Sequence, residues 1–226
     1  MPHPSVANAS TADRERPIIK GKTALLSVDM QYTEWTPEWA EAAKRGDGDP
    51  KKRAYHNRLS DIVIPNQQRL QAAARAAGVE VMFTVIEALT QDGRDISLDH
   101  KISGIFVPKG SREAQVIDAV APVGDEIVIP KTASGIFNST NVEYVLRNLG
   151  VECLVIYGIC TEQCVETSVR DACDRGFLVT LVPDCCATTD QERHDRSIEA
   201  LDGHYARCRS TDDMIAELSG LGARAA

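Results

Sequence analysis

Three side chains able to do covalent or proton chemistry stand at or just beyond the ends of apolar runs. Asp29 lies at the end of "TALLSVDM" (Thr23–Met30), and Lys131 closes "GDEIVIPK" (Gly124–Lys131). Cys164 follows "VECLVIYGI" (Val151–Ile159) within "CTEQCV". An acid, an amine and a thiol are the ingredients of acyl transfer. A thiol near a helix N-terminus and beside a lysine is biased toward thiolate. A neighbouring carboxylate can take the thiol proton and later return it to a leaving amine. Thiolate attack on a carbonyl gives an acyl-enzyme that water then releases. The backbone amides of Cys160 and Cys164, at the turn into the helix, are placed to hold the oxyanion. On this reading Cys164 should alkylate faster near neutral pH than the rest of the seven cysteines.

Each residue alone has a plainer reading. A strand-end aspartate commonly caps a turn, and a lysine is commonly solvated. Read as a metal clip, Cys160 and Cys164 lack the second tight Cys or His pair that a structural zinc site needs. As a redox pair they lack the Cys-x-x-Cys spacing. Cys153, Cys173 and Cys185 or Cys186 read as small core hydrophobes. His56, His100, His194 and His204 read as surface or satisfied core histidines. Neither a Gly-rich phosphate loop nor a G-x-G-x-x-G turn is present, so nucleotide cofactors are disfavoured. The reading assigns no metal and no cofactor.

The elements that must bring the three residues together alternate in type. Strands are expected at Thr23–Met30, Val79–Ile86, Gly124–Lys131, Val151–Ile159 and Phe177–Cys185. Helices are expected at Asp61–Gly78, Asn141–Gly150, Thr161–Gly176, Gln191–Gly203 and Ser210–Leu218. Pro65 suits a first helical turn, and Gly78 is a stop signal. Thr188–Thr189–Asp190 and Ser210–Thr211 supply cap chemistry for the last two helices. Continuous Val, Ile and Leu in the strands, without strict alternation, predicts a mainly parallel sheet covered on both faces, a three-layer α/β/α domain. In such a sheet all strand C-termini share one edge, so Asp29, Lys131 and Cys164 converge. The polar stretches Gln31–Ser60 and Glu87–Gly110 read as long loops over that edge, with Gly93 and Gly104 permitting sharp bends.

The bulk properties fit a single soluble domain. The chain has 226 residues, 43% of them hydrophobic and 26% charged, with a net charge of −8. That balance, without a basic cluster, disfavours nucleic acid and anionic membrane partners. No apolar run reaches the roughly 20 residues of a membrane span. The N-terminus "MPHPSVANASTADRERP" lacks a signal-type apolar core. Residues 1–20 read as a flexible arm, 21–220 as one domain and 221–226 as a tail. The seven cysteines crowd between Cys153 and Cys208, which reads as reduced thiols in the cytoplasm and not as a disulfide framework.

Four segments carry a resemblance: "LLSVDMQ", "IPKTASGIFNST", "YGICTEQCVETSVRDACDRGF" and "VTLVPDCCAT". Together they resemble the isochorismatase-like cysteine hydrolases, over most of the chain from Lys22 to about Leu218. The resemblance implies that Asp29 is the general base, Lys131 the supporting lysine and Cys164 the nucleophile. It implies a cis peptide between Ile159 and Cys160, with Cys160 as an oxyanion-hole donor, and a dimer or tetramer in which a neighbour can share the site. Members with a metal carry an Asp-x-His pair, which is missing here. The function implied is a cofactor-independent cysteine amidohydrolase, cleaving a C–N bond of a small ureide such as biuret, triuret, ureidoacrylate or a carbamoyl amino acid. Alternatives are a nicotinamidase or maleamate-type amidase, vinyl-ether hydrolysis without the cysteine, and a non-catalytic interaction protein.

Candidate pocket residues complete the expectation. Gln31 is placed to orient the base or the substrate. Tyr32, Trp35 and Phe137 are candidate walls. Asn138 is a candidate donor to a carbonyl, and His204 and Tyr205 are candidates for closing the pocket. Glu87, at a strand end, is a candidate acceptor of amide N–H groups, which the resemblance supports.

Overall fold

The computed structural model describes residues 11–223. Its centre is a parallel sheet of strands β1 (Thr23–Val28), β2 (Glu80–Ile86), β3 (Val128–Lys131), β4 (Cys153–Ile159), β5 (Leu178–Ala187) and β6 (Arg207–Cys208). Their order is β3-β2-β1-β4-β5-β6. Every residue of β1 and of β4 is buried, as expected of strands covered on both faces. The expected parallel α/β architecture is therefore the one observed.

Helices α1 (Thr11–Arg14), α2 (Pro37–Arg45), α3 (Pro50–Arg58), α4 (Ile64–Ala76) and α5 (Leu98–Ser103) precede β3. Helices α6 (Ile136–Ser139), α7 (Val142–Asn148), α8 (Glu166–Asp174), α9 (Gln191–Leu201) and α10 (Thr211–Ala223) follow it. A π-helical turn, Leu59–Val63, fuses α3 to α4, and another, Thr161–Val165, leads into α8. Helices α4 and α10 pack together against the sheet, and α8 packs with α6 and α9. The expected caps form: the Asp190 carboxylate accepts the amides of Glu192 and Arg193, and the Ser210 hydroxyl accepts that of Asp213.

Four expectations are corrected. The stretch Gln31–Ser60 is not a loop, since it folds into α2 and α3. Thr36 and Asp49 cap these helices, each followed by a proline at the first helical position. The stretch Glu87–Gly110 contains α5, capped by Ser97. The third strand starts only at Val128, because Gly124 turns the chain at φ 65°. Its Pro130 is tolerated because β3 is an edge strand.

The fourth correction concerns the termini. Ile18 is buried in the core and its amide donates to Glu217, so this part of the expected arm is docked. Residues 1–10 of that arm lie outside the described residues. Leu221, assigned to the tail, is buried on α10, and residues 224–226 lie outside the described residues.

Two local devices shape the sheet beside the site. Gly158 sits at φ 134°, and a Cβ there would lie 2.1 Å from the carbonyl oxygen of Val28, so only glycine lets β4 approach β1 this closely. The β4–β5 register shifts between Ile156 and Gly158, and such a bulge re-aims the end of a strand.

Candidate active site

Strand β1 ends at Val28, and Asp29 turns off it at φ 57°, a left-handed conformation that aspartate tolerates better than most residues. Its amide donates to the Thr84 carbonyl, and the Thr84 hydroxyl donates to its Oδ1. Lys131 ends β3 in register with Ile86 of β2. Cys164 lies in the π turn beyond β4, and the Ile159–Cys160 peptide is cis. Three parallel strands thus deliver three side chains to one edge, with β1 and β4 at the point where strand order reverses.

The three groups are buried together. Lys131 is 0% exposed, Asp29 2% and Cys164 6%. Lys131 Nζ lies 2.9 Å from Asp29 Oδ2 and 3.3 Å from Cys164 Sγ, and donates to the Ala133 carbonyl at 2.9 Å. Lys131 thus hydrogen-bonds the Ala133 carbonyl and the Cys164 sulfur, and its contact with Asp29 is an ion pair. Burial alone would push the ammonium down, but Asp29 and Cys164 more than offset it, and its pKa stands above the usual lysine value.

The thiol behaves otherwise than expected from the sequence. Burial, and then the charge of Asp29, push Cys164 up from 9.0 to about 12, and Lys131 offsets only part of this. Burial and Asp29 thus favour the protonated thiol, against the thiolate that the helix terminus and the lysine favour. A carboxylate is a Brønsted base, so the arrangement sets a proton acceptor near a thiol. At the oxyanion turn, the Cys160 carbonyl accepts the amides of Gln163 and Val165, passing over that of Cys164.

The expected wall residues are mostly committed elsewhere. Gln31 is fully buried as a backbone clamp: its amide nitrogen donates to the carbonyls of Ile86 and Glu113, and its oxygen accepts the Ile86 amide at 2.6 Å. The Tyr32 hydroxyl accepts the Asp118 amide, and Arg112 covers its ring. Trp35 donates to the Ser60 hydroxyl. Glu87 accepts the Gly110 amide and lines a different cleft, with Val116 and Pro122. Phe137 packs on Phe177, just before β5 at the sheet's amino edge, opposite the three groups. Asn138 is exposed beside Gly135. His204 and Tyr205 meet edge to face, with Arg170 over the tyrosine, in the segment entering β6 at that same far edge.

A different set of residues lines a cavity that includes neither these nor Asp29, Lys131 and Cys164. This cavity, of about 460 Å³, opens at the carboxyl edge between the segment after β1 and the segment after β5. Glu34, Trp39, Tyr55, His56 and Thr189 help line it. The buried Tyr55 hydroxyl donates to Glu34 Oε2 at 3.2 Å. Burial, then the charge of Asp29, raise the Glu34 carboxyl from 4.5 to about 7. The Cys160 thiol, which interacts with Tyr55, is pushed up by burial and then by Glu34.

His194, on α9, is also drawn in. It is buried, with Nδ1 2.8 Å from the Thr161 hydroxyl and Nε2 3.3 Å from an Arg58 nitrogen. Arg58 can only donate, so Nε2 accepts and Nδ1 carries the proton toward Thr161. Nothing in the spacing of Glu34, Tyr55 or His194 marks them, and the first two lie in the polar stretch Gln31–Ser60. Among the described residues no group of three or more His, Cys, Asp or Glu side chains is placed to hold a metal ion. No helix among them is long and apolar enough to cross a membrane.

Residues 23–213 match the Isochorismatase domain family. Over 166 residues the chain is 30% identical to the N-carbamoylsarcosine amidase of an Arthrobacter species, covering 71% of this chain and 63% of that protein, just under two thirds of its length. Over 220 residues it is 28% identical to the ureidoacrylate amidohydrolase of Pseudomonas syringae pv. syringae, covering 89% of this chain and 86% of the relative. The fold matches the crystal structure of a cysteine hydrolase from Pseudomonas syringae pv. phaseolicola with a TM-score of 0.78 at 23% identity, over 91% of this chain and 96% of that one.

Proposed function

We propose that this chain, which belongs to the isochorismatase domain family, is a cysteine amidohydrolase acting on a C–N amide or ureide bond of a small molecule. The observation that carries the reading is the meeting of Asp29, Lys131 and Cys164 within 2.9 and 3.3 Å at one buried edge. The names of the two relatives, an amidase and an amidohydrolase, support the bond type.

The proposed chemistry follows from the geometry. Substrate displaces water from the site, and Asp29 removes the Cys164 proton as Sγ attacks the carbonyl carbon. The amides of Cys160 and Cys164 stabilise the oxyanion. Collapse breaks the C–N bond, Asp29 delivers its proton to the leaving nitrogen, and a thioester remains. Asp29 then takes a proton from water as that oxygen attacks the thioester, and returns it to Sγ. Lys131 stays protonated throughout, offsets the charge that moves between oxygen and sulfur, and holds both partners in place.

A screen for ammonia release tests this over biuret, triuret, ureidoacrylate, carbamoyl amino acids, maleamate and nicotinamide. Turnover of at least one substrate that disappears in a folded Cys164→Ala variant is the expected result. Substantial turnover by that variant would remove Cys164 as nucleophile, and no turnover of any substrate would remove the amidohydrolase reading.

A further inference from the structure

The cavity at the carboxyl edge has an uneven charge lining. Five of its lining residues are ionic: Glu34, Asp47, Asp49, Lys52 and Arg53. Asp47 pairs with Arg45, Asp49 caps α3, and Arg53 donates to the Gly48 carbonyl. Lys52 is exposed. Glu34 differs from all of these. It is half-buried, and its Oε2 is fixed by the hydroxyl of the buried Tyr55. Oε1 has no partner among the described residues. Its amide donates to the Gln31 carbonyl, a turn that anchors it five residues after Asp29.

Resting on the amidohydrolase reading, we propose that Glu34 is the specificity-determining residue of the site, accepting N–H groups from the unreacted end of a neutral ureide and disfavouring a carboxylate there. A biuret-type ureide presents both N–H donors and a carbonyl beyond its scissile bond. The free Oε1 matches the donors, while Tyr55 holds the carboxyl in one orientation. Burial and Asp29 raise the Glu34 carboxyl to about 7, so near neutrality it also carries a proton part of the time and can meet the carbonyl. A substrate carboxylate in that position would add a third acidic group to Asp29 and Glu34, whose charges already oppose each other.

The test compares kcat/KM for biuret and for ureidoacrylate in the wild type, Glu34→Gln and Tyr55→Phe. A charge-assisted hydrogen bond lost to a neutral amide predicts a biuret kcat/KM lower by about tenfold or more in Glu34→Gln, chiefly through KM. Ureidoacrylate, whose carboxylate Glu34 opposes, should instead gain about threefold or more in Glu34→Gln, because the like charge is gone. Tyr55→Phe should move the biuret value in the same direction by less, and it carries the test if Glu34→Gln does not fold. Equal losses on both substrates, or no loss on biuret, would overturn the proposal. So would a wild type that turns over ureidoacrylate and spares biuret, and that result would leave the amidohydrolase reading standing. A wild type that releases ammonia from neither of these nor from any other amide of the screen would overturn both.

Discussion

Replacing Asp29 with asparagine should abolish hydrolysis and, at the same time, make Cys164 more reactive. The two effects have different causes. Hydrolysis needs a base, and the amide cannot take the thiol proton. Thiol reactivity depends on the thiolate fraction, which Asp29 suppresses. Asparagine keeps the volume and tolerates the left-handed backbone at φ 57°, so the fold should persist. Lys131 Nζ remains 3.3 Å from Sγ with one fewer anionic neighbour.

The size of the effect can be worked out. With burial and Asp29 raising the thiol above its ordinary 9.0, the thiolate fraction at pH 7.5 lies below that of a free cysteine. Loss of the like charge should lower the pKa by about one to two units. That raises the thiolate fraction about 10- to 100-fold, but nucleophilicity falls with pKa along a Brønsted slope of about 0.4–0.5. The net gain in alkylation rate is roughly 3- to 10-fold. The assay is a time course of iodoacetamide labelling at pH 7.5, read by mass spectrometry on the peptide bearing Cys164, with hydrolysis measured in parallel. Labelling no faster than in the wild type would refute the electrostatic reasoning, because Asp29 would then be sustaining the thiolate instead of suppressing it.

Two further perturbations test the frame around the site. Gly158→Ala forces a Cβ to within 2.1 Å of the Val28 carbonyl oxygen in a conformation alanine avoids. It should cost about 3 kcal/mol or more by urea denaturation, and a loss under about 0.5 kcal/mol would show that β1 and β4 do not meet this closely. His194 is held down from 6.5 to about 4, by burial first and then by Arg58, with Asp195 opposing. The unfolded chain therefore binds a proton near 6.5 that the folded chain refuses until about 4, and stability is lost as pH falls through that window. Wild type should lose about 2–3 kcal/mol between pH 7 and 4.5 that His194→Gln does not lose, and identical pH slopes for the two would refute the assignment.

The sequence made the frame legible because a charged residue ending a buried run is an anomaly that parallel-sheet topology explains. Asp29, Lys131 and Cys164 each follow such a run, and the shared edge requires only that the strands be parallel. The walls were not legible, for reasons of geometry. His204 and Tyr205 follow α9, whose 11 residues carry the chain about 16 Å back toward the other edge of the sheet. Glu87 comes one residue after Ile86, the register partner of Lys131, and alternation along a strand sends it to the other face. Gln31 is a polar residue near the site with the right chemistry, but unpaired backbone groups at the end of β2 claim it. The caps at Thr36 and Asp49, each with a following proline, were readable signals for α2 and α3. Recognising them would have turned a supposed loop into the carrier of Tyr55.

The protonation state of Cys164 shows where reading from residue types reaches its limit. Helix N-terminus and lysine both favour thiolate, and both are visible in the sequence. Depth is not visible, and here it reverses the outcome, because burial is the largest influence on the thiol and Lys131 is shared with Asp29. A neutral thiol beside a charged carboxylate is also the more useful resting state for the proposed reaction. The proton that must reach the leaving nitrogen is already inside the site, and Asp29 has only to carry it.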